Sequence, residues 1–112
     1  MDCMGFAYCK LEIFAPEDCL DALQAALAQA DAGHLGRYDS CLSYSLVTGC
    51  WRPLEGSRPY LGREGEVCRQ REVKVEVTCR TEQVDRVLAA VKAVHPYEEP
   101  VINVIPLWRI GL

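Results

Sequence analysis

The chain has 112 residues, half of them hydrophobic and a quarter charged, with a net charge of −4. That length suits one domain spanning 1–112, and the acidic balance argues against a protein that grips nucleic-acid phosphates. No apolar run approaches the roughly 20 residues of a membrane span, and the first residues lack the basic and apolar stretches of a signal peptide. A small, soluble, cytoplasmic domain is the expectation.

Residues 6–14, FAYCKLEIF, alternate. Cys9, Leu11 and Ile13 share one face and Tyr8, Lys10 and Glu12 the other, as in a half-buried strand. Pro16 suits a first helical position, and Glu17 and Asp18 suit the positive end of a helix. Leu20, Leu23, Leu27 and Ala30 recur at helical spacing up to Gly33, so a helix is predicted over 16–31. Alternation returns in 40–48, SCLSYSLVT, and predicts a second strand. From Gly49 to Gln70 the chain is rich in Gly, Pro and Arg, too long a stretch for a simple turn. Residues 72–79, EVKVEVTC, form the clearest strand, with Val73, Val75 and Val77 on one side and Lys74, Glu76 and Thr78 on the other. Thr81 fits the N-cap of a second helix whose buried stripe is Val84, Val87, Leu88, Val91 and Val94, and His95-Pro96 ends it. Residues 101–105 are a last strand, apolar on both sides as a central or interface strand would be.

Strand, helix, strand, long loop, strand, helix, strand is the order of a ferredoxin-like βαββαβ fold. It is an α+β sandwich in which two helices cover one face of an antiparallel sheet. The helices should lie over Leu11, Ile13, Val75 and Val77. The opposite face, with Tyr8, Lys10, Glu12, Lys74, Glu76 and Thr78, is either wet or buried against another subunit. Seven cysteines, an odd number with no C-x-x-C pair, predict reduced and mostly buried thiols. Cys3, Cys50 and Cys68 are the candidates for exposure.

The segment HPYEEP (residues 95–100) is the sharpest motif. With AGHLGRYDSC (32–41), TGCWRPLEGSRPYLG (48–62), KLEIFAPED near the start and PYEEPVINVIPL near the end, it resembles a YqfO-type domain. That domain is the CutA-like module inserted into bacterial members of the Nif-three-like family of dinuclear-metal proteins. The likeness covers about residues 8–107. It implies a fold shared with CutA and PII signalling proteins, assembly as a homo-oligomer (a trimer), and ligands held near subunit clefts and the loop between the second and third strands. The family's metal-holding residues lie in a separate part with paired histidines and carboxylates; this chain has only His34 and His95, so dinuclear hydrolysis is not carried over.

Several readings stay open on the residues themselves. His95, Glu98 and Glu99, beside Tyr97, offer an imidazole and two carboxylates for a divalent metal such as Zn, Ni or Cu. The same residues also read as a stiffened helix end with solvated glutamates, where removing His95 should cost about 1 kcal/mol or less through the helix dipole. His34 reads as a turn or capping residue, or as a further ligand. The loop with Trp51, Arg52, Pro53, Glu55, Gly56, Arg58 and Tyr60 can hold an anion on its arginines or pack on a neighbouring subunit. It lacks any nucleotide-cradling glycine motif.

A non-catalytic module that binds a small ligand or divalent metal and reports to a protein target is the favoured function. The alternative is a small metal-dependent hydrolase, or an accessory subunit of one, using His95 with Glu98 or Glu99. An RNA-binding sheet would need stacked aromatics and a basic surface, which Lys–Glu alternation does not supply. No nucleic-acid or membrane partner is expected.

Overall fold

The structure, a computed structural model, describes residues 5–112; Cys3 lies outside the described residues. Four strands form one antiparallel sheet: β1 (Tyr8–Pro16), β2 (Ser43–Trp51), β3 (Cys68–Arg80) and β4 (Ile102–Leu107), in the order β2-β3-β1-β4. Helices α1 (Leu20–Gln29) and α2 (Val84–Val94) each follow a short 3-10 turn. This is the expected ferredoxin-like sandwich.

Hydrophobic alternation decides which face is covered. Leu11, Ile13, Val75 and Val77 are fully buried against Leu23 and Leu27 of α1 and Val87 and Val91 of α2. Cys9 and Cys79 lie side by side in that core, their sulfurs 3.8 Å apart, and burial pushes the Cys79 thiol up to about 12. Across the sheet, Lys10 pairs with Glu76 at 2.6 Å, and Glu12 lies 3.5 Å from Lys74.

Five local expectations are corrected. Pro16 closes β1 opposite Glu72 instead of opening a helix; its φ of −56° fits either state, and its ψ of 146° is extended. The first helix stops at Gln29, where Arg86 of α2 donates to the Ala30 carbonyl at 2.8 Å and Asp31 turns left-handed. Thr81 caps nothing: it lies in the 3-10 turn before α2, with its hydroxyl oxygen buried and unbonded among the described residues. Val94, at the frayed end of the α2 stripe, is exposed. The last strand is an edge and not central, because among the described residues it pairs with β1 alone.

The predicted loop is also shorter at both ends. The β2–β3 ladder runs out to Trp51 opposite Cys68, leaving residues 52–67 as the connection. Gly49 reads as a turn residue in sequence but stands inside β2, because a side chain there would collide with the Glu72 carboxylate. Cys68 is half-buried and not exposed, since the chain at Gly62 folds back over it. Cys50 is exposed as expected.

Candidate functional site

At one end of the sheet, on the face that no helix covers, the 52–67 loop folds towards the turn after α2. Between them lies a cavity of about 510 Å³. Its floor is Phe14 of β1 and Glu72 of β3, both on the polar phase of their strands. Its walls are Trp51, Tyr60 and Tyr97.

The turn is built on His95. Proline at 96 forces His95 into an extended backbone (ψ 128°), which ends α2 and swings the imidazole inward. The residue as a whole is 7 % exposed. Its Nε2–H donates to the Phe14 carbonyl at 2.7 Å, and its Nδ1 accepts the Tyr97 N–H at 3.2 Å. Both nitrogens are used, which fixes the tautomer, and burial holds the imidazole below its ordinary pKa.

Tyr97 then reaches across to Glu72, its hydroxyl donating to Oε2 at 2.8 Å. Burial, then the adjacent carboxylate, push that phenol well above its usual range, so it stays a donor. Around Tyr97 stand Trp51 at 5.4 Å, Tyr60 at 6.1 Å and His95 at 4.9 Å between ring centroids, all tilted by about 50°. The Trp51 indole N–H donates to the Leu61 carbonyl at 3.3 Å, and the Arg58 amide donates to Glu98 Oε1 at 3.0 Å. These two bonds fasten the loop to its own strand and to the turn.

The residues expected from sequence separate into groups. Trp51, Arg52, Pro53, Tyr60, Tyr97, Glu98 and Glu99 line the cavity together. Glu55, Gly56 and Arg58 stand at the exposed loop tip, where Arg58 contributes its backbone amide and not its guanidinium. His34 is elsewhere: it bonds Asp31 at 2.9 Å beside Tyr8 and Arg80, at the opposite end of the sheet.

The His95–Glu98–Glu99 ligand set expected for Zn, Ni or Cu is not assembled. His95 has no free lone pair, and among the described residues no three His, Cys, Asp or Glu side chains converge to hold a metal. Phe14, Gly49 and Glu72 were not singled out in sequence. They sit on strand phases that read as solvent-facing or as loop; the available signal was a glycine placed diagonally from a carboxylate across one hairpin.

Residues 42–110 match the family profile described as CutA1 divalent ion tolerance protein. The chain belongs to the CutA1 family. Among curated relatives of this CutA1 chain is the GTP cyclohydrolase 1 type 2 homolog of Halalkalibacterium halodurans, 39% identical over 102 residues, covering 91% of this chain and 27% of the relative. The Bacillus subtilis protein of the same name is 34% identical over 98 residues, 88% of this chain and 26% of its own. The chain thus spans about a quarter of the length of these relatives. A solved Bacillus cereus protein related to NIF3 superposes with a TM-score of 0.82 at 32% identity, over 93% of this chain and 26% of that one. The periplasmic divalent cation tolerance protein CutA from Archaeoglobus fulgidus gives 0.70 at 23% identity over 94% and 87%, a likeness of fold. The expected kinship with both Nif-three-like proteins and CutA is thereby matched.

Proposed function

We propose that this CutA1-family chain is a non-catalytic, single-domain module that binds a small ligand between the β2–β3 loop and the 95–100 turn. In this reading it works in the cytoplasm as a homo-oligomer, a trimer, and signals occupancy to a protein target. The observation that carries the reading is the open-mouthed cavity itself: its volume suits a small molecule, and its walls are mainly apolar with a few fixed polar groups. Binding is favoured over turnover because no histidine lines the cavity, and the lining Ser57 hydroxyl is engaged with the Leu54 carbonyl at 2.7 Å.

The loop supports a signalling role, since a ligand touching Trp51 and Tyr60 touches the same segment whose tip faces outward. Self-association is supported by the edges of the sheet. Tyr44 and Leu46 on β2 are 53 % and 52 % exposed, and Val104 and Ile105 on β4 are 40 % and 37 % exposed.

Native mass spectrometry of the protein isolated from cells tests these points together. A multimer carrying a non-covalent small molecule is expected. A bare monomer that takes up no compound from a metabolite extract removes the reading.

A further inference from the structure

The cavity's lining carries three carboxylates, Glu72, Glu98 and Glu99, against a single basic side chain, Arg52. Glu72 is only 4 % exposed, and among the described residues it forms no ion pair with a lysine or arginine; the Tyr97 hydroxyl is its one side-chain donor, and the nearby His95 imidazole is held towards its neutral form by burial. A buried carboxylate without a counter-charge is costly, and a bound cation relieves that cost.

Four aromatic rings stand around the same space: Phe14, Trp51, Tyr60 and Tyr97. Trp51 and Tyr60 pack against Tyr97 at 52° and 48°, a tilted cluster that gives the cavity one continuous aromatic wall. The faces of such rings are electronegative and attract weakly hydrated cations. A bare divalent ion would need several converging oxygen or nitrogen ligands, which are absent here among the described residues. An anion would meet three carboxylates.

Resting on the ligand-binding reading above, we propose that this site selects an organic cation, a small molecule bearing a substituted ammonium or guanidinium group. The charged head lies in the cavity against the wall of Trp51, Tyr60 and Tyr97, with Glu72 at the floor, and Glu98 and Glu99 draw it in from the rim. The apolar remainder of the molecule lies against Pro53 and Leu54.

The test uses three probes that share a phenyl ring and differ in the charge of the head group: benzyltrimethylammonium, benzyl alcohol and benzoate. Each is titrated into the full chain while the two indole N–H resonances, Trp51 and Trp108, are followed by NMR. Benzyltrimethylammonium is expected to shift Trp51 saturably, to leave the exposed Trp108 in place, and to bind at least about tenfold more tightly than the other two. Tyr60→Leu, a change on an exposed loop, is expected to weaken it by about 3- to 30-fold. The double variant Glu98→Gln/Glu99→Gln, which keeps an acceptor for the Arg58 amide, should weaken the cation while leaving benzyl alcohol unchanged.

Benzoate saturating Trp51 as tightly as the cation would overturn the organic-cation assignment and leave the ligand site standing. Cation binding indifferent to Tyr60→Leu would also overturn it. If no probe moves Trp51, both this inference and the cavity's role as a ligand site fall.

Discussion

His95 shows how one residue can look solvated in sequence and be structural in three dimensions. A histidine between a helix and a proline reads as a dipole-complementing cap with little to lose. In the fold it joins the end of α2 to the carbonyl of Phe14 on the central strand β1, 81 residues away in sequence, and receives the Tyr97 amide. His95→Ala therefore strands a buried carbonyl and is expected to cost about 1–3 kcal/mol, more than the dipole effect alone. The pH dependence has a definite sign. Burial lowers the folded pKa below the ordinary 6.5, so the unfolded chain binds a proton that the native state refuses. The His95 contribution is complete above pH 6.5 and is lost as pH falls from there towards the folded pKa. Melting temperature against pH should slope downward below that point in the parent, and His95→Gln should flatten the slope. A parent profile level from neutral pH to 5 would contradict the assignment.

Among the elements, three strands and the two helices were legible from an apolar period that tertiary structure did not override, and the last strand from a short apolar run. Val73, Val75 and Val77 alternate in sequence with Lys74, Glu76 and Thr78, and the sheet turns all three valines to the core and the polar residues to the open face. Boundaries were less legible, since they depend on partners. Gly49 and Gln70 belong to strands only because they face each other, and Pro16 belongs to β1 only because Glu72 lies opposite it. The site was legible by half. Its aromatic and acidic loop residues stood out as motifs, while Phe14 and Glu72 were hidden in regular alternation. The edge strands lead to the next prediction. Tyr44, Leu46, Val104 and Ile105 lie beside unpaired backbone groups, an arrangement that invites another chain. Leu46→Lys and Ile105→Lys should each lower the associated fraction in light scattering. Both sites are on exposed edges, so stability should change by no more than about 0.5 kcal/mol. A parent that remains monomeric up to roughly millimolar concentration would remove self-association.

At the scale of the whole molecule, the two ends of the sheet have different characters. One end holds the aromatic cavity and the loop that closes it; the other holds the plain turn of Asp31 and His34. The turn end is also where the chain enters and leaves the sheet, because Tyr8 at the start of β1 is paired with Leu107 at the end of β4. Cα atoms in such a pair are about 5 Å apart, so the two chain ends depart almost from one point, on the side away from the cavity. Topologically the domain is close to a closed ring. It can hang from a host sequence by a narrow stalk without disturbing its ligand end, which suits a fold that occupies only a quarter of its longer relatives. The ring can also be reopened elsewhere. A circular permutant, its old ends joined by a short glycine linker and its new ends placed between Gly56 and Ser57, should keep the parent's circular dichroism and cooperative melting. Loss of cooperative melting would show that the order of connection matters to this fold, and not only the pairing of its strands.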